Sequence, residues 1–285
     1  MKTIDITKVK AIALDLDETI LHEGRLCSGM PEIFSDFSRL GVEIIIATGR
    51  SINSIPDEVL KIPALRYFVT SNGACVFDFK EKKIISHSPL KQPLTEEILA
   101  FVNNKAYYAL FSCDEKCITS LVWAENLRER FLAKFPLVNI DEVKENMTIV
   151  DSPVDYIKKH NVIIDKIILS FDDPNKCHEV FADIIDKFAV EAAITDILEV
   201  EITSQGVNKG AGIKFLADFL GFSMKEVAAF GDSGNDAEML KAVGFPVAMG
   251  NASDELKKIA FIVAPSAEQN GALQILEQMH VSVNG

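Results

Sequence analysis

The sequence predicts an α/β protein in two pieces: a parallel-sheet unit interrupted by an inserted α+β unit. Three observations carry this expectation. Short apolar runs alternate with helical segments early in the chain and again late in it. Between about residues 86 and 198 the rhythm changes, with strands arriving in pairs rather than one per helix. Several apolar runs also stop abruptly in polar residues, as strands do where a parallel sheet opens onto a ligand.

The first run, Ala11-Ile12-Ala13-Leu14, reads as a buried strand that ends in Asp15-Leu16-Asp17-Glu18-Thr19. Pro31 to Gly41 reads as a helix, with proline near its start, apolar residues at helical spacing and glycine at its end. Val42 to Ala47 is a second buried strand, ending in Thr48-Gly49-Arg50, and Ser51 is expected to cap a helix running towards Leu60. Tyr67 to Thr70 is a third strand, ending in Ser71-Asn72-Gly73. Right-handed crossovers between these strands imply a parallel sheet. Ala74 to Phe79 and Lys83 to His87 then form a hairpin around Lys80-Glu81-Lys82.

The insert is expected to hold a helix over Pro93 to Asn104 and strands over Tyr107 to Ser112 and Lys116 to Ser120. A helix around Glu125 to Lys134, a strand over Lys166 to Phe171, a helix over Asn175 to Lys187 and a strand over Val190 to Thr195 follow. Leu198-Glu199-Val200-Glu201-Ile202 alternates cleanly and marks the expected return to the first unit. Asn208 to Leu220 is a helix stopped by Gly221, and Val227 to Phe230 a strand ending in Gly231-Asp232-Ser233-Gly234-Asn235-Asp236. Strands at Phe245 to Met249 and Phe261 to Val263, and a last helix near Glu268 to Met279, complete the chain. The expected domains are 1–85 with 199–285, and the insert 86–198.

Composition narrows the function. With 285 residues, the chain is near the size at which one core divides into two. A formal charge of -13 argues against nucleic acid and against an anionic membrane surface as partners. No run approaches the roughly 20 apolar residues of a membrane span, and the first residues show no secretory pattern. The five cysteines are odd in number and scattered, as expected of reduced thiols in a cytoplasmic protein. Cys113 and Cys117 lack a histidine at zinc-finger spacing, so no metal role is expected of them. His160 and His178 read as solvated, and Trp123 with Tyr107 and Tyr108 as core of the insert.

The polar strand ends, together with Lys209 at a helix start, suit phosphoryl transfer. An aspartate can attack phosphorus and form an aspartyl-phosphate. A second carboxyl can protonate the leaving oxygen and then deprotonate water. Asp15 and Asp17, two residues apart, are placed for these tasks but need compensating positive charge. Mg²⁺ prefers oxygen ligands, and Asp232 and Asp236 are placed to help hold it. Thr48 and Gly49 offer a hydroxyl and backbone N–H groups to phosphate, and Lys209 a fixed charge.

In order, Asp15-Leu16-Asp17-Glu18-Thr19, Ala47-Thr48-Gly49-Arg50, Ser71-Asn72-Gly73-Ala74, Asn208-Lys209-Gly210 and Gly231-Asp232-Ser233-Gly234-Asn235-Asp236 span nearly the whole chain. This set resembles the haloacid dehalogenase (HAD) superfamily phosphatases, specifically the Cof-type hydrolases with a large inserted C2-type cap. The resemblance implies a Rossmann-like HAD core with an α+β cap. It implies Asp15 as nucleophile and Mg²⁺ ligand, Asp17 as general acid/base and as a ligand through its backbone carbonyl, and Asp232 as the third protein ligand. Thr48 and Lys209, with Leu16 and Gly49, fall at phosphate-binding positions, and Asn235 at one that contacts phosphate. Asp236 and Thr19 support these groups from behind. Arg50 is expected to meet substrate or cap, or else to lie on the surface at a helix start, and Asn72 to hold a turn or touch the site. Glu18 departs from the pattern, standing where this family usually has glycine. Three residues past the nucleophile, it is expected to point away and to shift substrate preference rather than abolish activity.

The reaction so implied is Mg²⁺-dependent hydrolysis of small phosphorylated metabolites, sugar phosphates first and phosphorylated cofactors such as pyridoxal phosphate or flavin mononucleotide behind. A calcium loop opening at Asp15 fails, because Ile20 and Leu26 stand where glycine and glutamate are required. No Gly-rich nucleotide loop follows a strand, and a response-regulator domain would not carry such an insert. A sugar-phosphate sensor without catalysis and a phosphomutase remain the alternatives on the same fold. Oligomeric state is left open.

Overall fold

The computed structural model describes residues 3–102, 108–113, 116–120, 124–125 and 147–281. The fold follows from the apolar runs. β1 (Ala11–Leu14) is fully buried, so it needs a strand on each side and a layer on each face. It lies at the centre of an eight-stranded sheet, parallel to β4 (Glu43–Ala47) on one side and to β14 (Val227–Gly231) on the other. The short strands β2 (Leu21–His22) and β3 (Arg25–Leu26) form a separate ribbon just after β1. Beyond β4 come β5 (Tyr67–Thr70), then the antiparallel β6 (Cys75–Asp78) and β7 (Lys83–His87) at the edge.

A second, six-stranded sheet is built from the inserted segment. Its strands are β8 (Tyr108–Cys113), β9 (Lys116–Ser120), β10 (Met147–Val150), β11 (Lys166–Ser170), β12 (Val190–Asp196) and β13 (Glu199–Ser204), in the order β10-β9-β8-β11-β13-β12. The first sheet is completed beyond β14 by β15 (Phe245–Ala248) and β16 (Ile262–Val263).

Helices close both faces of the first sheet. Phe34 and Phe37 of α1 (Met30–Arg39) pack on one face with Ile12, Leu14 and Ile46. α2 (Asp57–Leu60) is only four residues long. A single helix from Ser51 to Leu60 was expected; instead a 3₁₀ turn at Ile52–Ser54 and α2 are separated at Ile55-Pro56. The residue before a proline is driven out of the helical region, and Ile55 has the extended φ of -78° and ψ of 131°. In the insert, α3 (Gln92–Val102), α4 (Pro153–His160) and α5 (Pro174–Lys187) cover one face of the second sheet through Ile98, Leu99, Ile157, Val180 and Ile184. α4 and β10 were not read from the sequence. The expected helix around Glu125 to Lys134 lies outside the described residues from 126 on, as do Tyr107 and Trp123, and nothing is described of the Tyr108 side chain.

α6 (Lys209–Leu220) puts Ile213 and Leu216 on the other face of the first sheet. α7 (Ala237–Ala242), α8 (Asp254–Ile259) and α9 (Gly271–Val281) follow. His160 and His178 are exposed, as expected. None of the helices among the described residues is long and apolar enough to cross a membrane.

One boundary is corrected. The strand expected to return the chain to the first unit at Leu198 pairs instead with β11 and β12 in the second sheet. The chain stays in the insert to Ser204. Its alternation explains this: Val200 and Ile202 join the insert's own core, while Glu199 and Glu201 face away. Apolar and polar residues alternate here, unlike the near-continuous apolar runs of the parallel strands β1 and β4.

Candidate active site

The carboxyl ends of β1, β4, β14 and β15 meet at one edge of the first sheet. The backbone N–H of Asp15 donates to Phe230 O at 3.1 Å, continuing the ladder one residue past β1 and fixing where its side chain emerges. Lys209 is the first residue of α6, whose N-cap Asn208 accepts from the Ala211 N–H at 2.9 Å. That start aims the lysine ammonium between two acids: Nζ lies 2.8 Å from Asp15 Oδ1 and 2.7 Å from Asp236 Oδ1. Lys209 is fully buried and Asp15 nearly so.

Burial dominates the titration of this cluster. It pushes the Asp15 carboxyl well above the usual carboxylate range, against the pull of Lys209, with Asp236, Asp232 and Asp17 adding to the push. Burial also acts to lower the Lys209 ammonium, but Asp15 and Asp236 more than reverse it, so the lysine stays charged. Asp232 is pushed up to about 7, first by burial and then by Asp236. Several acids crowded about one lysine form a site that favours a further cation.

Asp236 has little to spare for a ligand. Its Oδ1 takes Lys209, and its Oδ2 accepts from the backbone N–H groups of Asp232 at 2.9 Å and Ser233 at 3.0 Å. It therefore shapes the loop that presents Asp232. Thr19 Oγ1 donates to Asp232 Oδ1 at 3.0 Å, which ties the segment after β1 to the loop after β14. Thr48, fully buried at the end of β4, accepts at Oγ1 from the Arg50 N–H at 3.1 Å and keeps its own hydroxyl proton to donate.

Oxygen atoms of Asp15, Asp232 and Asp236 lie within 4.8 Å of one another. With Asp236 committed to Lys209 and backbone N–H groups, Asp15 and Asp232 are the hard oxygen donors of this set that fit a cation such as Mg²⁺. Cys75, His87 and Asp165 bring a second, mixed set equally close at the junction of the two sheets, where His87 Nε2 and Asp165 Oδ1 are 2.7 Å apart.

This arrangement coincides with a known family. The haloacid dehalogenase-like hydrolase family matches residues 12–276. The chain belongs to it. Within the superfamily it falls among the Cof-type phosphatases. It is 26% identical over 290 residues to phosphatase YwpJ of Bacillus subtilis, covering 95% of this chain and all of that one. It is 27% identical over 256 residues to pyridoxal phosphate phosphatase YbhA of Escherichia coli, covering 89% and 92% of the two chains. Among solved structures, a HAD subclass IIB sugar phosphatase shares the fold at a TM-score of 0.80 and 23% identity, over 96% of this chain and 100% of that one.

Several residues of this HAD phosphatase sit differently from expectation. Arg50, read as a substrate or cap contact, is turned onto Asp17: Nε reaches Oδ2 at 2.8 Å and Nη2 reaches Oδ1 at 2.7 Å, while Nη1 donates to Ser54 O at 2.7 Å. Asn235, read as a phosphate contact, donates through Nδ2 to Asn72 Oδ1 at 3.0 Å and to Glu201 Oε2 at 3.1 Å. An amide nitrogen has two protons, so both are used there. Asn72 both holds a turn, at φ 55°, and reaches Glu201 through Nδ2 at 2.6 Å.

Glu18 has φ 54°, the left-handed region that suits glycine, which accounts for a glycine preference there. Its carboxylate turns to His22 Nδ1 at 3.0 Å rather than to Asp15.

Three residues at the site were not singled out from the sequence. Asn251, just past β15, donates to Asp232 Oδ2 at 3.2 Å and to Glu18 O at 2.9 Å, and accepts from the Ala267 N–H at 3.0 Å. Its position at a strand end was the available signal. Lys166 and Glu201 arrive from the second sheet, and nothing local marks them.

Proposed function

We propose that this HAD phosphatase is a Mg²⁺-dependent phosphomonoesterase acting on small phosphorylated metabolites, with sugar phosphates foremost. The observation that carries the reading is Lys209 set between Asp15 and Asp236, with Asp232 alongside. Asp15 and Asp232 would hold the ion through carboxylate oxygens and Asp17 through its backbone carbonyl. When bound, Mg²⁺ would neutralise charge on the phosphoryl oxygens and offset the crowded acids.

Asp15 attacks phosphorus, forming an oxygen–phosphorus bond as the bond to the leaving alkoxide breaks. Asp17 gives that alkoxide its proton. Asp17, now a carboxylate, takes a proton from water, and the resulting hydroxide attacks the aspartyl-phosphate, releasing phosphate and restoring the Asp15 carboxylate. The fork from Arg50 takes both Asp17 oxygens and favours the carboxylate, the form the second transfer needs. The first transfer needs one of those oxygens protonated and turned from the fork to the leaving oxygen. Thr48, Gly49 and Lys209 bind the phosphoryl oxygens, and the second sheet acts as a cap that excludes bulk water.

The substrate class is supported by the named activities of relatives, one a pyridoxal phosphate phosphatase and one a sugar phosphatase. Hydrolysis of p-nitrophenyl phosphate that stops on adding EDTA and returns with Mg²⁺ is the expected result; turnover indifferent to EDTA would count against the metal. A panel of sugar phosphates, nucleotides and phosphorylated cofactors then ranks substrates. Binding of sugar phosphate with no phosphate released from any of them would favour the sensor alternative.

A further inference from the structure

The second sheet has two unlike faces. Alternation puts Ile167 and Leu169 of β11, with Val200 and Ile202 of β13, against the insert's own helices. The opposite face carries Ser112, Lys166, Ser170, Glu201 and Thr203, and these too are buried. A polar sheet face is ordinarily left to water. Here Glu201 meets side chains of the first unit, Asn72 after β5 and Asn235 after β14.

At the centre of that face Lys166 Nζ donates to Glu201 Oε1. The two residues are only 2% and 7% exposed. Burial acts to raise the Glu201 carboxyl, but Lys166 and Asn72 more than reverse it and hold it below its usual range, so the pair is ionic. An ion pair this deep is poor evidence for a stability role, because apolar side chains of similar volume hold a fold as well or better. Buried charge beside a cleft points more often to function.

Its location is specific. A Cβ added to Gly49 would lie 3.2 Å from Lys166 Nζ, 3.2 Å from Glu201 Oε2 and 3.1 Å from Asn72 Oδ1. A side chain at Gly49 would press these three side-chain ends back by a few tenths of an ångström, so the lysine ammonium lies directly against the Thr48–Gly49 turn. Glu201 accepts from Lys166, Asn72 and Asn235, so its charge is opposed by three donors. The ammonium has three protons and gives one to Glu201.

We propose that Lys166 is a second phosphoryl-binding lysine, delivered to the Thr48–Gly49 turn by the second sheet and held there by Glu201. This rests on the phosphatase reading above and adds to it a residue from the insert. Lys166 touches the bound oxyanion; Glu201 is a positioning residue that acts through Lys166 and through Asn72 and Asn235. The phosphoryl site is then complete only with the second sheet seated, which couples binding to closure.

The test is a double substitution, Lys166→Met with Glu201→Gln, which removes both charges and nearly preserves volume. The inhibition constant of orthophosphate against p-nitrophenyl phosphate hydrolysis is expected to rise roughly 10- to 100-fold, with kcat/KM falling in step. Glu201→Gln alone should give a smaller rise. A double variant with a native circular dichroism spectrum and phosphate inhibition within about twofold of wild type overturns the proposal.

Should the double variant not fold, a crystal structure of the wild-type protein with Mg²⁺ and orthovanadate decides. Lys166 Nζ within about 3.5 Å of a vanadate oxygen is expected, and a separation beyond about 5 Å overturns the proposal. The phosphatase reading fails separately: wild-type protein that releases phosphate from no ester would sink it, while the vanadate complex still reads Lys166.

Discussion

Lys209 Nζ lies 2.8 Å from Asp15 Oδ1 with the ammonium wholly buried, so the proposed nucleophile and the nearest positive charge are held together before substrate arrives. Removing either partner has a different consequence. Asp15→Asn keeps shape and hydrogen bonding but cannot attack phosphorus. Turnover should fall on the order of 10³-fold or more, with the fold intact by circular dichroism. Lys209→Met instead strands Asp15 and Asp236 against each other. Urea unfolding of the metal-free protein should show a loss of about 3–5 kcal/mol, with activity lost as well.

Arg50 and Asp17 meet through two parallel bonds, a geometry lysine cannot copy. Arg50→Lys should therefore lower kcat roughly 10- to 100-fold while KM moves less, because the displaced group transfers a proton rather than binding substrate. Steady-state kinetics separate the two; an equal rise in KM with kcat unchanged would instead make Arg50 a substrate-binding residue.

Asp232 is pushed up to about 7 by burial and then by Asp236. A carboxyl raised in the folded state binds a proton there that the unfolded chain has already released. The metal-free protein should therefore lose stability as pH rises from about 4 to about 7, in denaturant melts run across that range. Because the ion and the proton compete for this group, Mg²⁺ affinity should strengthen through pH 7 and level off above it. Calorimetric titration at pH 5.5 and pH 8 checks the direction.

Glu18 holds φ at 54°, a conformation that costs a side-chain-bearing residue about 1–2 kcal/mol and glycine almost nothing sterically. Set against the lost His22 contact and the extra freedom of an unfolded glycine, Glu18→Gly should leave stability unchanged or raise it by about 1 kcal/mol. Thermal unfolding and p-nitrophenyl phosphate turnover together test this; a loss of activity would mean that the carboxylate serves the site.

What was legible in the sequence was whatever a local pattern encodes. An apolar run that breaks into polar residues marks both a buried strand and its carboxyl end, so Asp15, Thr48 and Asp232 could be placed at one sheet edge before any fold was known. Lys209 beside its cap Asn208 is equally local. The strand at Glu199–Ser204 shows the limit of that signal, since alternation reports that one face is polar but not which sheet owns the strand.

Tertiary structure alone decided partners. Arg50 could face substrate, cap or water, and only the fold brings it to Asp17. Asn235 is tied to Asn72 and Glu201 across sequence separations of 163 and 34 residues. Lys166 and Glu201 look like ordinary charges on the open face of a strand, because a strand's period says which residues share a face and nothing about what covers it. Burial of that face against the Thr48–Gly49 turn is a property of how two sheets meet. Local sequence therefore determined the groups to which the proposed chemistry is assigned, whereas the packing of distant segments determined which of those groups are held, neutralised and enclosed.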